Sequence, residues 1–89
     1  MPEPPTLRRK RLIYRSRYRG TLESDLILGR FADLYVSRFD ERQLDRYEAL
    51  LEQSDDDLLR WLTGRAPAPP EHDHDVLALL RAFSPATTS

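Results

Sequence analysis

The balance between leucine and the β-branched residues is the feature that most limits how this chain can fold. Its 89 residues include 15 leucines but only two valines and two isoleucines. Strands draw on β-branched side chains to fill their pleated surface, whereas leucine favours helices. A chain of this length also makes a single modest core. We therefore predict an all-α protein with one domain over residues 1–89.

Five segments show the apolar spacing of amphipathic helices and predict a compact five-helix bundle. The predicted helices cover residues 7–18 and 22–38, then run from Asp40 to Gln53, from Ser54 to Gly64, and from near Asp73 to the last residues. Residues 66–70 are rich in proline and predict a stiff extended connector before the last helix. We expect residues 1–5 and 84–89 to be flexible tails.

Cap residues mark where these helices begin. Thr6 is the predicted N-cap of the first helix, and Thr21 lies at or near the cap of the second. Asp40 and Gln43 match a capping box. Ser54 precedes three aspartates, which suit the positive end of a helix dipole.

The second helix is the predicted centre of the core. Its apolar residues fall on one arc at 100° per residue: Ile27, Leu28, Phe31, Leu34 and Tyr35. Gly29 lies on the opposite side, where a missing side chain suggests the close approach of another group.

Charge is distributed unevenly along the chain. Residues 1–20 contain seven basic groups and one acidic group, whereas residues 21–89 contain seven basic and fourteen acidic groups. A basic first helix can contact phosphates, so a small nucleic-acid-binding or regulatory module is the alternative function. The pI of about 6.1 and the lack of a helix-turn-helix or other recognition signature weigh against it.

Little in the sequence suggests catalysis or metal binding. Glu23 and Asp25 point about 200° apart on a helix, so they cannot converge as an acid–base pair. His72 and His74, with Asp73 between them, are the only potential metal group, but a full site needs three or four ligands; loop histidines in water are the simpler interpretation. The chain has no cysteine, which excludes disulfides and thiolate ligands. We expect no catalytic residue and no metal site.

No apolar stretch approaches the about 20 residues that a membrane-spanning helix needs. The first five residues also lack the apolar region of a signal peptide. We therefore expect a soluble cytoplasmic chain without direct membrane insertion.

The stretch from Arg19 to Glu23 has features that helix formation alone does not require. Gly20 lies between two predicted helices and permits a positive φ, while Glu23 falls in the first turn of the second helix. Such a corner can present a cation and an anion from one rigid point. The alternative is an ordinary helix break followed by an acid that suits the helix dipole.

Several motifs extend over residues 8–83 and carry a family resemblance. They are Arg9-Lys10-Arg11-Leu12, Tyr14-Arg15, Arg19-Gly20-x-x-Glu23, Asp55-x-Asp57-Leu58-x-x-Trp61, the run at 65–69, and Val76-x-Ala78-Leu79-Leu80-Arg81-x-Phe83. In these motifs the chain resembles the small flavinylation factors of succinate dehydrogenase, which are five-helix proteins that promote covalent attachment of FAD to the flavoprotein subunit.

The resemblance implies an assembly factor and not an enzyme. Its client would be the FAD-loaded flavoprotein subunit of succinate dehydrogenase, with that of fumarate reductase as an open second client. Attachment would be autocatalytic, because a histidine of the client attacks the flavin. FAD would lie on the client, and this chain would bind no cofactor stably. We expect no nucleic acid partner and a monomer when free.

The same resemblance assigns roles to individual residues. Arg19, Gly20 and Glu23 become the partner-binding centre. The weaker assignments at its rim are Arg11, Arg15 and Asp25. Trp61 is expected to pack in the core. The lack of a presequence points to a bacterial cytoplasmic member of the family.

Overall fold

Five α-helices follow one another through residues 5–83, the part of the chain that the computed structural model describes. They are α1 (Pro5–Arg17), α2 (Leu22–Tyr35), α3 (Glu41–Leu51), α4 (Asp55–Leu62) and α5 (Asp75–Phe83), with 3-10 turns at Val36–Arg38 and Pro70–His72. These residues contain no strand. The radius of gyration is 12.4 Å, close to the about 12 Å of a compact domain of this size. The all-α five-helix prediction is confirmed.

The core forms around α2, which packs closely against α1. Phe31 lies at its centre, with the rings of Tyr35, Phe39, Tyr47 and Phe83 between 4.8 and 6.0 Å away. Trp61 is buried, as the sequence predicted. The prediction for Leu34 is wrong: its side chain is 52% exposed, because the buried arc of α2 is narrower than the apolar spacing suggests.

Gly29 is a point of close approach between α1 and α2. A Cβ at this position would lie 3.2 Å from Cγ of Arg17. The guanidinium of Arg17 then reaches one turn further and pairs with Asp33 at 2.7 Å. The predicted close approach at Gly29 is therefore confirmed, and the approaching group is a side chain of α1.

Side-chain caps start three of the helices as predicted. The hydroxyl of Thr21 accepts the N–H of Ser24, and that of Ser54 accepts the N–H of Asp57. At α3, Asp40 and Gln43 form both hydrogen bonds of the capping box. Each cap satisfies N–H groups that have no partner inside the helix.

Several helix ends differ from the sequence prediction. The first helix begins at Pro5, before the predicted cap Thr6, because a proline needs no N–H partner in the first helical turn. The second ends at Tyr35, and a 3-10 turn completes the predicted span. The last begins at Asp75, two residues later than expected, after the 3-10 turn at Pro70–His72.

None of the described helices is both long and apolar enough to cross a membrane. Residues 1–4 and 84–89, which make up nearly all of the predicted tails, lie outside the described part of the chain. The single domain over residues 1–89 and the connector at 66–70 stay predictions.

Candidate functional site

The turn between α1 and α2 forms a sharp corner at Gly20. Its φ of +108° lies in the region that residues with a side chain rarely adopt, as the sequence predicted. A Cβ added here would have no atom within 4 Å. The outer side of the corner is therefore open space within the described structure.

Asp25 closes the corner from the inside. Its Oδ1 accepts the backbone N–H of Arg19 at 2.6 Å and that of Gly20 at 3.3 Å. Asp25 thus holds the backbone of the turn, and its partner-binding role at the rim remains a prediction.

Arg19 is directed into the protein and does not project its cation from the corner. Its side chain is only 10% exposed and pairs with Asp55 at 2.8 Å, at the start of α4. The remaining guanidinium N–H groups donate to the backbone carbonyl oxygens of Leu51 and, at 2.6 Å, Gln53. These carbonyls lie at the C-terminal end of α3, where a cation is favourable. Arg19 therefore fixes the corner to the α3–α4 junction.

Arg19, two residues after the end of α1, is the last member of a ladder of four arginines, which we call the α1 ladder. Arg8 pairs with Asp45 at 2.6 Å and Glu48 at 3.0 Å, Arg11 with Glu48 at 3.2 Å, and Arg15 with Glu52 at 3.2 Å. The hydrogen bond to Asp45 raises the pKa of Arg8, and Glu48 adds to this effect. The sequence separation is nearly constant along the ladder. It is 36 or 37 positions in each of the pairs Arg8–Asp45, Arg11–Glu48, Arg15–Glu52 and Arg19–Asp55. Helices α1 and α3 therefore run in the same direction.

The other arginines of α1 with described contacts are also occupied. Arg9 donates to the carbonyl oxygens of Val36 and Phe39, and Arg17 pairs with Asp33. These internal partners compete with any phosphate for the same cations. The arrangement therefore disfavours the nucleic-acid alternative.

Glu23 differs from these residues because it lines an open cleft. It is exposed on the first turn of α2 and forms no hydrogen bond or ion pair within residues 5–83. The cleft has a volume of about 290 Å³, and α4 and the residues after it form its other wall. We call it the α2–α4 cleft; it is lined by Glu23, Asp56, Leu59, Arg60, Thr63 and Arg65.

Sequence reasoning missed the residues that α4 contributes to this cleft. In the sequence, Asp56 reads only as part of the helix cap, and Arg60 belongs to none of the motifs. Their spacing of four places them on one face of α4. Nothing in the sequence shows that this face lies across a cleft from Glu23, because that depends on where α2 lies relative to α4 in the folded chain.

The histidines do not behave as loop residues in water. His72 is buried and stacks on Trp61, with ring centroids 5.4 Å apart. Nδ1 of His74 accepts the N–H of Leu77 and so caps α5. Burial lowers the pKa of His74, and the positive charge of Arg46 lowers it further. Within the described part of the chain, no group of three or more metal-ligating side chains is arranged to hold an ion.

A helical core, a rigid corner and a polar cleft define a small all-α protein whose distinctive features are suited to binding. Residues 10–84 match the family described as "Flavinator of succinate dehydrogenase". The chain belongs to this family, which confirms the resemblance.

Curated relatives show the same relationship. The chain is 42% identical over 81 residues to "Succinate dehydrogenase assembly factor 2, mitochondrial" of Drosophila grimshawi, covering 89% of this chain and 55% of that protein. It is 44% identical over 73 residues to the protein of that name from Dictyostelium discoideum, covering 82% and 52%. These names describe assembly factors and not enzymes, in agreement with our expectation. The chain spans about half the length of the relatives that it matches.

The predicted bacterial cytoplasmic localisation is wrong. The relatives from Drosophila grimshawi, Dictyostelium discoideum and Scheffersomyces stipitis are all named as mitochondrial proteins. The prediction relied on the lack of a presequence at residue 1. That criterion fails because the chain covers only part of its relatives, so its first residue carries no information about location.

Proposed function

We propose that this chain binds the FAD-loaded flavoprotein subunit of succinate dehydrogenase and promotes its covalent flavinylation. Family membership supports the choice of client. The observation that carries the proposal is the corner itself: Arg19 and Asp25 hold it rigidly, and Glu23 stands exposed beside it without an internal partner.

The corner divides the predicted site residues into two kinds. Glu23 contacts the client, and the open space outside Gly20 allows the client's surface to approach the backbone. Arg19 and Asp25 act as positioning residues, because their contacts lie within this protein. Presenting a rigid surface lets the chain select a flavoprotein conformation that is ready to react, which accelerates attachment without a catalytic group of its own.

FAD remains on the client throughout. The α2–α4 cleft holds about 290 Å³, and a second cleft, lined by Leu26, Ile27, Arg30 and Phe83, holds about 200 Å³. Sites for small molecules and cofactors usually have about 300–1,000 Å³ and bury most of the ligand. Both clefts lie at or below the lower end of this range, and each has room for side chains of a protein partner.

Covalent flavin provides the test. The flavoprotein subunit is expressed in a host without its own factor, alone or with this chain, and covalent flavin is measured by in-gel fluorescence. We expect attachment to increase with the wild-type chain and to fall to the background level with Glu23→Ala or Gly20→Arg. The matched control is Glu71→Ala, which removes another exposed glutamate.

Circular dichroism checks that each variant keeps its helices. Equal covalent flavin with and without the wild-type chain would contradict the proposal. The same assay with the flavoprotein subunit of fumarate reductase measures the client range, and sedimentation of the free chain tests the expected monomer.

A further inference from the structure

The α2–α4 cleft has an acidic and a basic end. On α4, Asp56 lies in the first turn, whereas Arg60 lies in the last turn and Arg65 follows the helix. From Asp56 to Thr63 the helix rises about 10 Å. Glu23 on α2 adds a second carboxylate to the lining, so the four charges sum to zero.

These four charged side chains form no hydrogen bonds or ion pairs with other residues in the range 5–83. Asp56 and Arg60 stand four positions apart, a spacing at which acids and bases commonly pair on a helix, yet they do not pair. The charges of the cleft are therefore available to a partner without breaking any internal contact.

Two exposed leucines lie on α2, the helix that also contributes Glu23 to the cleft. Leu22 and Leu26, one turn apart on α2, are 77% and 49% exposed. Protein interfaces combine a few apolar anchors with a polar rim, and charges at the rim direct the approach and orientation of the partner. The outer side of α2 and the cleft have this composition.

We propose that the α2–α4 cleft binds a short extended segment of the flavoprotein that carries one basic and one acidic side chain. The basic group lies against Glu23 and Asp56, and the acidic group lies against Arg60 and Arg65. Three extended residues span about 10 Å, which matches the length of the cleft along α4. This proposal rests on the proposed function. It adds which charged side chains the bound segment of the flavoprotein carries.

Charge reversal tests the basic end. Binding of the purified FAD-loaded flavoprotein subunit is measured by biolayer interferometry for the wild type and for Arg60→Glu/Arg65→Glu. The matched control is Arg38→Glu/Arg42→Glu, because both arginines are exposed, have no side-chain partner in the described structure, and change the net charge equally. We expect Kd to rise at least ~10-fold for the cleft variant, because like charges would face each other, and less than ~3-fold for the control.

The outcomes separate this proposal from the proposed function. Equal Kd changes for the two double variants would overturn the cleft proposal, as would unchanged binding by the cleft variant while Glu23→Ala still lost binding. In the second case the proposed function stands. If the wild-type chain did not bind the flavoprotein at all, both proposals would fail.

Cross-linking identifies the segment directly. The chain has no cysteine, so Thr63→Cys creates a single attachment point in the cleft for a photoreactive maleimide. We expect the cross-linked flavoprotein peptide to contain an acidic and a basic residue within a few positions. A peptide that lacks either charge would overturn the proposal.

Discussion

Helix α1 and the α2–α4 cleft both carry several charges, but they differ in what those charges do. Arginines of α1 pair with carboxylates of α2 and α3 or with backbone carbonyls, and Arg19, just after α1, pairs with a carboxylate of α4. The four charges of the cleft have no such partners among the described residues. The most basic segment of the sequence is therefore largely structural. The cleft has no net charge, but its individual charged side chains are free to pair with a partner.

The difference arises from matched helical spacing. The α1 ladder places arginines at 8, 11, 15 and 19, and its acids lie at 45, 48, 52 and 55, so both sets advance by steps of three and four. Such steps keep side chains on one face of a helix. Because α1 and α3 run in the same direction, each arginine meets an acid at a similar height.

Removing the Arg19 side chain should have the largest effect on stability. Arg19→Ala leaves Asp55 and two carbonyl groups without their donor, and breaking such a largely buried pair costs about 3 kcal/mol. Urea unfolding measures this loss. Arg19→Lys keeps the charge but not the forked contacts, and we expect it to recover only part of the stability. A loss below about 1 kcal/mol for Arg19→Ala would mean that the corner is held by other contacts.

A matched pair of truncations compares the two regions directly. Arg8→Ala removes the contacts to Asp45 and Glu48 made by a side chain that is 20% exposed, and should lower the free energy of unfolding by about 1 kcal/mol. Arg60→Ala removes an arginine without a partner and should change it by less than about 0.5 kcal/mol. Both are measured by thermal and urea unfolding. Equal losses of stability for the two variants would mean that the arginines of the ladder are no more structural than those of the cleft.

The smallest predicted effect concerns a paired carboxylate outside α1. Asp75 accepts a hydrogen bond from Gln43 at 3.1 Å and another from Arg46 at 2.6 Å. These bonds lower the pKa of Asp75 from its ordinary value of 3.8, and the bond from Gln43 has the larger effect. Since the pKa is lower in the folded protein, the contribution to stability is complete well above pH 3.8 and is lost as the pH falls through the folded value.

We therefore expect Asp75→Asn to lower the free energy of unfolding by about 0.5 kcal/mol at pH 7. When the pH is lowered further, the variant should lose less stability than the wild type. Free energies of unfolding at pH 7 and at pH 2.5 provide the measurement. If the wild type and the variant lost the same free energy of unfolding over this range, the pairing of Asp75 would not contribute to stability.

Local signals in the sequence predicted most of the fold. The capping box at Asp40 and Gln43, the cap at Ser54 and the turn at Gly20 depend on a few adjacent residues, and each is confirmed. The exposure of Leu34 was not predictable, because it depends on which side of α2 the neighbouring helices leave uncovered.

The site was predictable only in part. The sequence identified Gly20 as a turn, but not that Arg19 points inward, because its partners lie more than 30 residues away. The repeated spacing of arginines on α1 and acids on α3 was a signal that could have revealed the ladder. The sharing of one cleft by Glu23 and Arg60 had no sequence signal, because it depends on where α2 lies relative to α4 in the folded chain.

The contacts of Arg19 also determine when the corner can take shape during synthesis. They span 32 to 36 residues, and closing such a loop requires the chain up to Asp55 to be present. A nascent chain that ends before α4 contains the whole Arg-Gly-x-x-Glu motif without the anchor of its arginine. We therefore expect the corner to take shape only after the start of the fourth helix has left the ribosome, which delays any contact with the proposed client until then.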